Sequence, residues 1–175
     1  DRRLNNLGPL ATIPGIVLFG RVEGIRFTHG QPRDKIVLSA DGDIGKIGIP
    51  SSILSKPGPL TEAERSVIET HPELGERILA PIARLEDVRP IVRHCHERWD
   101  GHGYPDGMAS EDIPVESRVI LVCDAFHAMT TDRPYRAKLP VEEAFRRLRE
   151  GAGTQFDPTV VDVFLRIVDP TELPT

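Results

Sequence analysis

From residue 41 onward the apolar positions recur at steps of three and four, the spacing of helices that bury one face. Val88, Ile91, Val92, Cys95 and Trp99 keep that spacing and predict a helix closed by Asp100-Gly101. On it His96, four residues after Val92, falls at the edge of the buried face. Thr61-Glu62-Ala63-Glu64 reads as a capping box, so a helix is expected over residues 62–70. Pro72 suits the first position of the next helix, with Leu74, Ile78 and Leu79 facing the core. Ile113-Pro114 leads into a helix over residues 115–130, whose stripe is Val119, Val122, Cys123, Phe126 and Met129. Pro140 opens a helix that ends at Gly151, and Asp157-Pro158 caps a last one through Val168. The expected architecture is all-α, a compact helical bundle over residues 41–175.

Residues 1–40 break this pattern. Pro9, Pro14, Gly15, Gly20, Gly24, Gly30 and Pro32 interrupt the segment too often for a long helix. Ile16-Val17-Leu18-Phe19 and Ile25-Arg26-Phe27 read as short strands, with a hairpin one way to join them. An irregular or β-like N-terminal segment is therefore expected before the helical domain.

Composition narrows the class. A chain of 175 residues suits one domain with a sizeable core. Its formal charge of −5 gives no general attraction to a nucleic-acid polymer or an anionic membrane. No apolar run approaches the roughly 20 residues of a membrane span, and no signal peptide opens the chain. Cys95 and Cys123 both fall in helical patterns, so both are expected as reduced thiols, in keeping with a cytoplasmic protein. The chain begins at Asp1 rather than Met, which suits a piece of something longer.

The candidate chemistry gathers in residues 91–107, which hold three of the six histidines. There the patterned helix gives way to His102-Gly103-Tyr104-Pro105-Asp106-Gly107, a loop shaped by glycine and proline. A polar helix end running into such a loop has the make-up of a site wall. The run His96-Glu97-Arg98-Trp99-Asp100-Gly101-His102-Gly103-Tyr104-Pro105-Asp106-Gly107 resembles the signature of the HD-GYP domains. Four further blocks agree in order and spacing: residues 43–50, 56–61, 71–75 and 124–136. The resemblance covers residues 40–168 and leaves out the first forty.

That resemblance implies an HD-superfamily helical bundle and a bacterial signal-transduction phosphodiesterase that hydrolyses cyclic di-GMP with a metal-activated water. It implies Asp43, His71, His96 and Asp124 as metal ligands, with Cys95 a further candidate. Such a carboxylate and imidazole set suits iron or manganese better than zinc. Asp43 and Lys46 become the candidate catalytic residues. Lys46, Arg133 and Arg136 match the basic residues that grip the dinucleotide's phosphates, Arg as a fork and Lys as a point charge. Gly103, Tyr104 and Pro105 form the loop through which relatives contact diguanylate cyclase (GGDEF) domains, and an upstream sensor or receiver domain is the usual neighbour.

Plainer readings stand beside these. Asp124, on an apolar helix, needs a partner such as Arg93 or Arg118 if it holds no metal. His71 can serve as a helix cap, Arg133 can pair with Asp132, Lys46 can be solvated, and Tyr104-Pro105 can be loop packing. Three positions also depart from the family. Gly42 replaces the histidine of the HD pair, and Cys95 replaces the first histidine of a usual triplet. The upstream ligand is missing from residues 5–10, so residues 1–40 have diverged or their reading frame has been disturbed. Two functions follow: a cyclic di-GMP phosphodiesterase, or a silent module that binds the dinucleotide or a GGDEF partner. A metal-dependent phosphohydrolase acting on another nucleotide is a third.

Overall fold

Proline and polar caps mark where the helices begin. Pro50, Thr61, Pro114, Pro140 and Asp157 are the N-caps of α1 (Ser51–Leu54), α2 (Glu62–Ile68), α5 (Val115–Thr130), α6 (Val141–Gly151) and α7 (Pro158–Ile167). The structure, a computed structural model, describes residues 25–28, 35–38, 42–132 and 137–168. Thr61 forms the expected capping box, its Oγ1 accepting the Glu64 N–H while the Glu64 carboxylate accepts the Thr61 N–H at 2.7 Å. Asp157 caps α7 by accepting the Thr159 N–H at 2.7 Å, and its other oxygen takes Arg118 at 2.8 Å.

Between these lie α3 (His71–Leu79), with Pro72 in its first turn, and α4 (Arg89–Arg93). A 3-10 helix, Gly42–Gly48, precedes α1. The described residues also include an antiparallel hairpin, β1 (Ile25–Thr28) on β2 (Lys35–Leu38), with Ile25 opposite Leu38. The first strand is the one expected at Ile25-Arg26-Phe27. The candidate strand at residues 16–19 lies outside the described residues, as does the segment of residues 4–21 where no continuous helix is expected.

The main core is the packing of α5 on α6 and α7. Phe126 is wholly buried, with ring centroids 5.6 Å from Phe145 and 5.2 Å from Phe164. A smaller cluster, Leu79, Val88 and Val92, sits under α3 and α4. The expected stripe of α5 is buried at Val119, Val122, Cys123 and Phe126, with Met129 packed at its edge. Ile78 is a correction: it lies exposed on α3, where Gly75 and Leu79 take the inward positions instead.

A second correction concerns residues 94–99. The expected helix stops at Arg93, and His96 stands in the turn that follows. The backbone there is committed elsewhere. Trp99 and Asp100 donate their N–H groups to Gln155 and Thr154 carbonyls at 3.2 and 2.8 Å, and Tyr104 donates to the His96 carbonyl at 3.3 Å. A Cβ on Gly103 would lie 2.3 Å from the Arg98 nitrogen, so the loop packs directly on this backbone. Apolar spacing alone could not report these bonds. No helix among the described residues is long and apolar enough to cross a membrane.

Candidate metal centre

Three segments converge on one point. The 3-10 helix brings Asp43, the first turn of α3 brings His71, and the turn after α4 brings His96. Their donor atoms lie within 4.8 Å of one another. The closeness of the first two segments depends on Gly45, whose Cβ, were it present, would fall 1.7 Å from the His71 carbonyl oxygen. Only backbone on backbone fits there. The φ of Gly45 is not in the left-handed region, and close approach is its role.

His71 is buried and its Nδ1 lies 2.7 Å from the Ile68 carbonyl. A carbonyl can only accept, so Nδ1 carries the proton and Nε2 presents a bare lone pair. That Nε2 is 3.0 Å from His96 Nε2 and 3.7 Å from Asp43 Oδ1. His96 either donates to His71 or, as its other tautomer, offers a second lone pair to the same point. Burial pushes both imidazoles down, His96 to about 4, where the neighbouring His71 adds to the effect. Both rings are therefore neutral at neutral pH, the form that binds metal.

The donors fit a divalent cation. Neighbouring donors in an octahedral shell with bonds of about 2.1 Å lie about 3 Å apart, which is the separation of the two imidazole nitrogens. The Nδ1–H bond to a backbone carbonyl is the usual way to orient a ligating histidine.

The other expected residues are placed as follows. Lys46 is no solvated side chain, since its Nζ bonds Asp43 Oδ2 at 2.5 Å, half-exposed at the rim of the group. Asp124, half-buried on α5, stands outside the converging set, yet its charge acts on His71, Cys95 and Tyr104. Its two suggested partners are engaged elsewhere. Arg118 binds Asp157, and Arg93 binds Asp106 and Glu76. Cys95 is 1% exposed in the main core, and burial beside Asp43 pushes its thiol up to about 12. It belongs to the apolar cluster of α5, α6 and α7, and it too stands outside the converging set. Arg133, Arg136 and residues 5–10 lie outside the described residues, while the Asp132 carboxylate accepts the Lys138 N–H at 2.9 Å.

Tyr104 is more than loop packing. Its ring stacks on His96, with centroids 5.1 Å apart and planes 22° from parallel. The Tyr104–Pro105 peptide is cis. Burial pushes the phenol up, so it stays neutral. The loop is held at its far end by Asp106, which Arg93 grips with Nε at 2.7 Å and a terminal nitrogen at 2.8 Å. Sequence reasoning missed this grip and the burial of Glu97. Acids interleaved with bases are ordinary on a solvated surface, and nothing local marks these as facing inward.

Residues 40–160 match the HD domain family. The chain belongs to that family. Within it the chain carries the HD-GYP signature, with Gly42 in place of the histidine of the HD pair. This HD domain is 44% identical over 129 residues to a cyclic di-GMP phosphodiesterase of Thermotoga maritima, covering 71% of this chain and 34% of that protein. It is also 44% identical over 127 residues to a cyclic di-GMP phosphodiesterase response regulator of Xanthomonas campestris, covering 71% and 33%. The chain thus spans about a third of the length of these relatives. A solved cyclic GMP-AMP-specific phosphodiesterase of Vibrio cholerae aligns with a TM-score of 0.47 at 20% identity, over 74% of this chain and 33% of that one.

Proposed function

We propose that this HD domain is a metal-dependent phosphodiesterase acting on cyclic di-GMP, with residues 41–175 as its helical unit. The observation that carries the reading is the convergence of Asp43, His71 and His96 within 4.8 Å, joined to relatives that are named for this substrate. Asp43, His71 and His96 would hold the metal, with Asp124 reaching the same region from α5. A divalent cation there would lower the pKa of a bound water and stabilise charge on phosphoryl oxygen. Iron or manganese suits the set better than zinc, because the donors are imidazole and carboxylate, the two imidazole nitrogens lie 3.0 Å apart and the thiol of Cys95 is held protonated.

The chain's own residues supply the rest. Lys46 places a positive charge at the rim of the group, where a substrate phosphate can exchange for Asp43 as its partner. Arg133 and Arg136 are proposed to take the phosphates in bidentate fashion. Tyr104, neutral and stacked on His96, fixes the plane of that imidazole and shields it from water. With both imidazoles neutral at neutral pH, neither side chain needs to shed a proton before holding metal.

Hydrolysis of cyclic di-GMP with added Mn2+ or Fe2+, followed by chromatography of linear products, tests the reading. His96→Ala and Asp43→Asn should each lower the rate at least about 100-fold, the upper end of what losing an orienting partner costs.

A second reading, a silent module that binds the dinucleotide or a GGDEF domain, draws support from Gly42 and Cys95 at positions where relatives carry histidine. Tight dinucleotide binding without turnover in metal-loaded protein would establish it. A GGDEF partner would meet the loop through its exposed His102, Asp106 and Gly107 rather than through Tyr104, which is turned onto His96.

A further inference from the structure

A second group of potential ligands is built from the turn that carries His96 and from the loop after it. We propose that His94, Glu97 and Asp106 form a separate divalent-cation site at the base of the glycine-rich loop. The proposal does not depend on the phosphodiesterase reading.

Glu97 is where the case begins. Its side chain is 0% exposed, and Oε1 accepts the Asp106 N–H at 2.8 Å. Oε2 is buried with no hydrogen-bond partner, and so is Nδ1 of His94. A buried carboxylate oxygen and a buried imidazole nitrogen left unmatched are each costly, and a carboxylate without a counter-charge is costlier still. A cation held by this carboxylate and by the imidazole nitrogen would answer both, with Oε1 keeping a second lone pair beside its bond from the Asp106 N–H.

The spacing points to a cation. His94 Nδ1 lies 3.5 Å from Glu97 Oε1 and 3.6 Å from Asp106 Oδ2. Both separations exceed a good N–H···O bond. They come close to the roughly 3.4 Å between neighbouring donors around a tetrahedral ion with bonds of about 2.0–2.1 Å. One ligand atom from each residue falls within 4.8 Å of the others.

Charge agrees. Glu73, Glu76, Glu97 and Asp106 surround this corner, against the guanidiniums of Arg93 and Arg89. Four carboxylates against two guanidiniums leave two negative charges, which one divalent ion offsets. Arg93 occupies one face of the Asp106 carboxylate, and each of its oxygens keeps a second lone pair. One imidazole and two carboxylates suit zinc or another first-row divalent ion, with water completing the shell. Bound there, the ion would fasten Asp106, at the end of the loop, to the turn that carries His94 and Glu97. The loop that lays Tyr104 on His96 would then be pinned at its base.

The probe is Zn2+ added to chelator-stripped protein, with uptake read by equilibrium dialysis and elemental analysis. Asp43→Asn, at a half-exposed position, weakens the first centre and serves as the parent. Adding His94→Gln to it, or Asp106→Asn instead, should remove one equivalent of zinc or weaken it at least 10-fold. Zinc should raise the melting temperature of the parent more than that of either double variant. Asp106 is an exposed loop residue, so the Asp106→Asn variant decides the matter if the His94→Gln one fails to fold. Equal zinc uptake and equal melting shifts in parent and double variants overturn the proposal. The loop is then held at its base by Arg93 and by the Glu97–Asp106 hydrogen bond alone.

Discussion

Replacing Gly45 by alanine is the sharpest test of how the first centre is built. The new Cβ would lie 1.7 Å from the His71 carbonyl oxygen and 2.6 Å from the Gly75 nitrogen. Both are backbone atoms of α3, so no side-chain rotation relieves the overlap. The 3-10 helix has to retreat from α3 by about 1 Å or more, and overpacking of this kind costs about 1–3 kcal/mol. With backbone on both sides, the upper end applies. At about 2–4 °C per kcal/mol for a chain of this size, a cost of about 3 kcal/mol lowers Tm by about 6–12 °C. The same retreat draws Asp43 away from His71, so metal affinity should fall about 10–100-fold even though no ligand has been changed. Urea unfolding followed by circular dichroism, beside metal titration, reads both effects. Ile47→Ala is the control from the same 3-10 helix. Its side chain is 84% exposed, and it should stay within about 0.5 kcal/mol of wild type. A Gly45→Ala protein as stable as that control, with an unchanged m-value and metal affinity, would refute the account.

Three further outcomes follow from the same structure. His96 is held near pKa 4 when folded against 6.5 as a free side chain, so the unfolded chain binds the extra proton first. Metal-free protein should therefore keep its full stability above about pH 6.5 and lose up to roughly 3 kcal/mol as pH falls through 6.5 to 4. Urea midpoints across that window should flatten in His96→Gln, and an equally steep loss in the variant would count against it. Asp157→Ala removes both the cap of α7 and the buried partner of Arg118. It should cost about 3–5 kcal/mol by urea unfolding, and a cost below about 1 kcal/mol would show the pair to be incidental. Tyr104→Phe keeps the ring on His96 and should bind metal like wild type, whereas Tyr104→Ala should bind about 10-fold more weakly. Equal affinities would remove Tyr104 from the site.

Most of the fold was legible because local rules decide it. Thr61, Pro114, Pro140 and Asp157 announce helices whose ends the structure reproduces closely, and α5 runs over the residues that its apolar stripe indicates. His71 and His96 could be placed at one centre because the motif order ties them together. The failures share a cause. Whether residues 94–99 continue a helix is decided by carbonyls of Thr154 and Gln155, far along the chain. How closely the chain must approach at Gly45 is decided by α3. The inward face of Glu97 and the grip of Arg93 on Asp106 depend on a loop folding back across the turn. Spacing along a sequence carries no information about such partners.

The same geometry bears on whether Cys95 and Gly42 disable the centre. Cys95 belongs to the buried cluster that includes Val119 and Val122, and its ionised form would meet the charges of both Asp43 and Asp124. As a thiol it fills the core and adds no charge, so the centre keeps Asp43 and two neutral imidazoles, with Lys46 at its rim. A histidine at position 95 would demand more room in a region that is 1% exposed. Restoring it alone should therefore strain the core before it improves a ligand set. Gly42 differs, because it begins the 3-10 helix and abuts Asp43 directly. What the chain retains is placed by backbone contact between Gly45 and His71 and by the ring of Tyr104, neither of which involves the two substituted positions. Preorganisation survives the substitutions, then, while the number of donors falls. A centre of that kind should select its metal by geometry more than by affinity, so metal content measured against free ion concentration separates a weak but ordered enzyme site from a silent one.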